Sequence, residues 1–215
     1  MSGPETVDGK HIYTNSKGKK VPSVTTIIGV MNKPGLAKRA NMLGLNNVGY
    51  EDFLDERASI GTDFHKMVEE YMFGKPVGGI HFKESIEMFR RFMVWAENHY
   101  YKVFAAEQVL VGERFGGTVD AIGEVDGALT VIDYKTAKTV YADFFVQLAG
   151  YGLLIKELMP ETYERIQAFG VLTMRREEMY KFITKKDMEK HFMPVFLHAF
   201  ELYTAWDKIS NEVYW

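Results

Sequence analysis

The stretch Gly117-Thr-Val-Asp-Ala-Ile-Gly-Glu-Val-Asp126-Gly127-Ala-Leu-Thr-Val-Ile-Asp-Tyr-Lys135-Thr leaves this chain little topological freedom. Asp-Gly between two β-rich runs is the strongest short-range signal for a tight hairpin, because the favoured turn needs positive φ at both central residues. With Asp126 and Gly127 in the turn, Val125 pairs with Ala128, and the two-residue period sets Asp120 directly opposite Asp133. Opposed residues have Cβ atoms roughly 4.5–5.5 Å apart, and like charges there are destabilising. A fold tolerates the pair if one carboxyl is protonated or if a cation lies between them. Alternation also puts Asp133 and Lys135 on one face, over an apolar floor of Val131 and Ile122. The plain alternative is an exposed hairpin decorated with charge, and the opposed acids argue against it.

Two carboxylates and a lysine on one face have a chemistry. The acids can hold a divalent ion, which polarises a phosphodiester and activates a bound water. The lysine can orient or deprotonate that water and offset charge on the pentavalent transition state. The chain has no cysteine, which excludes thiolate nucleophiles, Cys-ligated zinc and iron–sulfur clusters. Any metal must sit on His, Asp, Glu or backbone oxygen, which suits hard ions such as Mg²⁺ or Mn²⁺.

The rest of the chain reads as one α/β domain. At 215 residues with 14% aromatics it is long enough for its own core, and it has no low-complexity run. No apolar stretch approaches the ~18 residues of a membrane span, and no signal or transit pattern is evident, with the first arginine at Arg39. The expected order is a hairpin or loop over 10–22, a short helix over 24–31 capped by Ser23 and stopped by Pro34-Gly35, and helices over 59–73 and 83–101. Strands follow over 103–111, 115–125 and 128–136, then a helix over 141–158. Strands over 165–173 and 179–183 and a closing helix over 187–209 complete it. Segments 41–55 are weakly patterned. Phe and Met stripes such as Met88, Phe89, Phe92 and Met93 are core.

Net charge is −3, which looks wrong for a nucleic-acid binder, but the distribution is uneven. Residues 1–40 carry +5, residues 41–130 carry −7 and residues 131–215 carry −1. A polyanion would favour the Lys17-Gly18-Lys19-Lys20 run, and local pairs such as Arg175-Arg176 and Lys185-Lys186.

Asp120, twelve residues, then Asp133-x-Lys135 resembles the signature of the PD-(D/E)XK nuclease superfamily. Gly61-x-x-x-His65 before the acids and Gln147-x-x-x-Tyr151 after them are similar to its RecB-like branch, as in the mitochondrial genome maintenance exonuclease and the CRISPR spacer-acquisition nuclease. Pro22-Ser-Val-Thr-Thr-Ile-Ile28 is similar to the start of the former domain. The resemblance covers residues 20–183 and implies a restriction-endonuclease-like core, a central mixed sheet flanked by helices. One domain then spans 1–215, with a basic segment over 1–40, a catalytic core over 59–183 and a C-terminal helix over 184–215. It implies His65, Asp120, Asp133 and the Tyr134 carbonyl as Mg²⁺ or Mn²⁺ ligands, with Asp120, Asp133 and Lys135 catalytic. No iron–sulfur cluster is expected, since the four cysteines that some relatives use are absent.

The implied activity is a DNA exonuclease acting on single-stranded or recombination and replication ends. A flap endonuclease on the same core, or a non-cutting nucleic-acid-binding subunit, is the alternative. Glu69, one turn after His65, is a candidate to hold that ring, and Glu107, on the preceding strand, is a candidate further acid behind the metal ligands. By resemblance Gln147 positions Lys135 or a phosphate, and Tyr151 contacts the DNA backbone. Lys17, Lys19 and Lys20 are the expected DNA-binding residues. The size leaves a motor or recombination partner to a separate chain, in the cytoplasm of a bacterium or phage-infected cell.

Overall fold

Asp126 and Gly127 take φ of 49° and 86°, so the turn has the conformation that Asp-Gly favours. It joins strand β5 (Gly116–Val125) to β6 (Ala128–Lys135) in the expected register, from Val125↔Ala128 to Ala121↔Ile132. The computed structural model to which this hairpin belongs describes residues 5–7, 10–31, 34–175 and 179–212. Arg176 lies outside the described residues.

The hairpin is the middle of a five-stranded mixed sheet. Its order is β4 (Tyr101–Val111), β5, β6, β7 (Ala168–Thr173) and β8 (Met179–Thr184). All neighbours are antiparallel except β6 and β7, which run parallel across helices α5 (Ala142–Leu158) and α6 (Pro160–Arg165). A parallel pair needs such a crossover, because a tight turn cannot return the chain to the same end.

Alternation sends β6 side chains to two cores. Val131 packs with Leu148, Leu154 and Phe196 from α5 and α8 (Met193–Glu212). Ile132 and Tyr134 pack with Ile60, Phe64, Phe92 and Trp95 from α3 (Tyr50–Met72) and α4 (Lys83–Asn98). The central sheet is thus covered on both faces, the restriction-endonuclease-like arrangement expected. Helix α5 is apolar nearly all round because it lies between sheet and α8.

The smaller elements correct the reading at several points. Strands β1 (Glu5–Val7), β2 (Lys10–Thr14) and β3 (Lys20–Pro22) make a separate three-stranded sheet, and the 15–18 turn joins β2 to β3. Asn15 organises that turn, its Oδ1 accepting from Lys17 N and Lys19 N at 3.0 Å. Ser23 caps α1 (Val24–Ile28), accepting from Thr26 N at 2.9 Å. Pro34 starts α2 (Pro34–Leu45) rather than stopping a helix, a position where its missing N–H costs nothing. Helix α3 begins nine residues before the expected start, with Glu51 and Asp52 favouring its first turn. The closing helix enters through α7 (Lys185–Asp187) and a π-helical turn, Met188–Phe192. Among the described residues no helix is long and apolar enough to cross a membrane.

Candidate active site and metal centre

The β5–β6 ladder ends at Ala121↔Ile132, and Asp120 and Asp133 are the next residues in that register, just beyond its last pair. The Tyr134 N–H does not find a β5 carbonyl. It donates to Asp120 Oδ2 at 2.8 Å. The carboxylate therefore satisfies a backbone donor that the ladder would otherwise leave unmade.

Strand β4 delivers a third acid. Its pairing with β5 slips by one residue between Val103 and Ala105, a β-bulge. Beyond it, Ala106↔Ala121 and Gln108↔Val119 bracket Glu107, opposite Asp120. Glu107 has φ of 47°, a left-handed conformation that costs a non-glycine residue on the order of 1–3 kcal/mol. Such strain persists where surrounding structure over-determines it, and here it accompanies a carboxylate 3.5 Å from His65 Nδ1.

His65 projects from α3, and its Nε2 lies 3.0 Å from the Tyr134 carbonyl oxygen. With Nε2 donating to that oxygen, Nδ1 is directed at Glu107 Oε1 (3.5 Å) and Asp120 Oδ2 (3.8 Å). Burial disfavours charge on the ring, but Asp120 and then Glu107 outweigh it and push its pKa up to about 9. His65, Glu107 and Asp120 each offer a ligand atom within 4.8 Å of the others. Without an ion, the proton on His65 supplies the positive charge that this pair of acids demands. One imidazole and two carboxylates form a donor set suited to a divalent metal ion.

Asp133 is fully enclosed. Its Oδ1 accepts from Lys135 Nζ at 2.9 Å, and Oδ2 lies 2.8 Å from Nζ but has no aligned donor. Burial pushes its pKa up to about 7, with Asp120 adding repulsion against the pull of Lys135. Burial likewise raises Asp120. Both carboxyls are raised chiefly by desolvation; the repulsion that adds to it comes from Asp120 at Asp133 and from Glu107 at Asp120. Lys135 also donates to Gln147 Oε1 at 3.0 Å, and Gln147 Nε2 donates to the Tyr151 hydroxyl at 2.7 Å. Burial disfavours charge on Lys135, yet Asp133 and Asp120 outweigh it and raise its pKa, so it is a cation rather than a base.

Two readings, those of Glu69 and Glu107, are corrected by this geometry. Glu69 does not hold the His65 ring: that ring meets Tyr134, Glu107 and Asp120, while Glu69 lies 4.0 Å from Lys75 and lines an open pocket beside His65. Tyr151 is buried with its hydroxyl taken by Gln147 and its ring against Gly117, where a Cβ would sit 2.7 Å from Cε1. It supports Gln147 from below, and its ring lines a small open pocket with Ser23, Thr25, Glu107 and Thr118. Glu107, expected only as an accessory acid, stands in the cluster of ligand atoms where Asp133 was expected. Its signal was its register across the β4–β5 turn, which runs unshifted from Val111↔Gly116 past Ala106↔Ala121 and sets Glu107 opposite Asp120.

Tyr134 has its side chain in the aromatic core, bonded to the Tyr101 hydroxyl, and its carbonyl accepts from His65 Nε2. Lys17 and Lys20 are ion-paired with Glu113 (2.6 Å) and Glu5 (3.1 Å). With Lys19 they line a groove against α8, by Phe200 and Tyr203. Glu113 is six residues from Glu107, up to about 20 Å along the chain.

A search of the curated proteins returns no match. A family model of the PD-(D/E)XK nuclease superfamily matches residues 80–212, which contain Glu107, Asp120, Asp133, Lys135, Gln147 and Tyr151. The match takes in more than half of the chain and the whole β4–α5 unit that builds the site, and the chain belongs to the PD-(D/E)XK nuclease superfamily.

Proposed function

We propose that the protein is a Mg²⁺- or Mn²⁺-dependent deoxyribonuclease of the RecB-like branch, an exonuclease working from DNA ends in recombination or repair. The observation that carries the reading is the charge arrangement. Asp120, Glu107 and His65 converge on one point, and a buried ammonium, Lys135, is braced beside them by Asp133 and Gln147. His65 Nδ1, Asp120 and Glu107 would hold the ion, with Asp133 Oδ2, which pairs with Lys135 Nζ at 2.8 Å without an aligned hydrogen bond, as a further donor. Bound there, the ion polarises a phosphodiester oxygen and acidifies a water.

The chain's own residues do the rest. Lys135 spends two of its three N–H donors on Asp133 and Gln147, which leaves one for the attacking water. Its fixed charge offsets the charge that builds on the phosphoryl oxygens during in-line displacement. Gln147 sets the height of the ammonium, and Tyr151 sets Gln147. The RecB-like assignment draws on Gly61-x-x-x-His65 and Gln147-x-x-x-Tyr151, whose histidine lies beside Asp120 and whose glutamine accepts from Lys135.

Incubation with end-labelled linear and circular single-stranded DNA in Mg²⁺ tests the proposal. Loss of the linear species alone is the exonuclease result. Nicked circles indicate an endonuclease instead, and binding without products a subunit that has lost cleavage.

A further inference from the structure

Three arginines lie near one another, two of them on a single carboxylate and the third on a ring beside them. Arg57 on α3 donates Nη1 to Glu84 Oε2 at 2.7 Å. Arg175, two residues past the end of β7, places Nε 2.7 Å from Glu84 Oε1. Both oxygens of Glu84 are thereby taken. Arg39 on α2 lies 4.5 Å from the Phe53 ring centroid, and Arg57 lies 5.3 Å from the same ring. Glu56 comes no closer than 4.0 Å to Arg57 and is more than half exposed, so it neutralises little. Arg57 Nε is enclosed without an acceptor, so the brace to Glu84 does not satisfy the guanidinium. A static link between α3, α4 and β7 would account for two arginines, but not for a third cation stacked on the same ring.

The position of the cluster says what it faces. Arg57, Gly61 and His65 follow one another at four-residue spacing on α3, which puts Arg57 about 12 Å along the helix from His65. Arg175 follows Thr173, the parallel partner of Lys135 across β6 and β7. Two separate routes through the fold therefore bring guanidiniums to the edge from which Lys135 and His65 reach the reacting point. Planar guanidiniums match phosphate oxygens in pairs, and Glu84 holds two of them in orientation beforehand.

We propose that Arg39, Arg57 and Arg175 anchor backbone phosphates of the DNA strand, a few nucleotides from the bond cut beside Lys135. The proposal rests on the nuclease reading. Each phosphate neutralised on a single strand contributes about 0.7 to the slope of log affinity against log salt.

The test is fluorescence anisotropy with labelled single-stranded DNA in chelator, where nothing is cut, over a salt series. Arg39→Gln is the decisive variant, because Arg39 takes no part in the Glu84 brace. It is expected to keep the wild-type melting temperature, weaken binding several-fold near about 0.1 M salt and lower the slope by about 0.7. Arg57→Gln added to it is expected to lower the slope by about 1.4 in all. A Lys17, Lys19 and Lys20 triple alanine variant, whose lysines 17 and 20 already face acids, is expected to change it less. An Arg39→Gln protein with unchanged affinity and slope overturns the anchor. Cleavage by the wild type in Mg²⁺ separates the two readings. If the wild type binds and cuts while the arginine variant binds normally, only the anchor fails; if it neither binds nor cuts, the nuclease reading fails with it.

Discussion

Ion-free, the site should make this protein lose stability as pH rises through neutrality. Asp133 has its carboxyl pushed up to about 7 from 3.8 by burial, against the pull of Lys135. A carboxyl raised on folding costs stability once pH passes its unfolded value, and the cost is complete above the folded one. That window is pH 4 to 7. His65 adds to it in the same direction. Burial disfavours its charge, but Asp120 and Glu107 carry it from 6.5 to about 9, so its contribution is fully present below 6.5 and lost as pH rises through 9. Each unit is worth about 1.4 kcal/mol, giving about 4 kcal/mol at Asp133 and about 3 kcal/mol at His65. The two groups share Asp120 and titrate as a coupled set, so the total lies nearer the larger figure than their sum.

For a chain of this length 1 kcal/mol moves the midpoint by about 2–4 °C, so melting in chelator should fall by roughly 8–16 °C between pH 5 and 9. Near-ultraviolet circular dichroism melts at half-unit intervals would show it. Mg²⁺ or Mn²⁺ should raise the midpoint more at pH 8.5 than at pH 6, because the ion must displace the proton on His65. Asp120→Asn keeps an acceptor for the Tyr134 N–H while removing the charge that raises both groups, so it should flatten the slope and melt above wild type at pH 8.5 in chelator. A midpoint that is flat or rising from pH 5.5 to 8.5, or an Asp120→Asn protein with the wild-type slope, would refute the reasoning.

Lys135→Met should abolish cleavage while leaving Mn²⁺ affinity by calorimetry within a few-fold, since the ammonium touches Asp133 and Gln147 rather than the converging ligand atoms; loss of ion binding would contradict this. Gln147→Leu should lower kcat by one to two orders of magnitude, roughly the 1.4–2.8 kcal/mol of one hydrogen bond to a charge, with KM little changed, and an unaltered kcat would remove Gln147 from the site. Gly61 sits in a helix interior with nothing nearer its Cβ position than Thr136 Cγ2 at 3.9 Å. Gly61→Ala should therefore stabilise α3 by about 1 kcal/mol yet slow cleavage, because its methyl enters the cavity of about 380 Å³ that Gly61 lines with Thr62, His65 and Lys66. Wild-type cleavage in that variant would show the glycine is not kept for substrate clearance.

The hairpin was legible because its determinants are local. Asp126-Gly127 sets the turn, the turn sets the register, and the register carries Asp120 to Asp133 without reference to the rest of the molecule. Helical spacing likewise brought Gln147 and Tyr151 together, and the contact between them is the one their four-residue separation allows. What stayed hidden depended on non-local events. The β4 bulge adds one residue to a strand whose alternation otherwise looks regular, and no residue type there announces it. Counted back from the β4–β5 turn, Glu107 falls opposite Asp120 in one register that runs from Val111↔Gly116 to Ala105↔Ile122, with the bulge beyond it; what alternation could not show is its left-handed backbone.

Burial was the other hidden quantity. Like charges in register predict a raised pKa by repulsion, yet the larger contribution comes from the helices that close over the sheet, a property of α3 and α5 packing. The two causes separate in the proposed melts. Repulsion would vanish with either acid, whereas desolvation of Asp133 persists when Asp120 is neutral. A residual slope in Asp120→Asn between pH 4 and 7 therefore measures the burial of Asp133, and the part that disappears measures the pair.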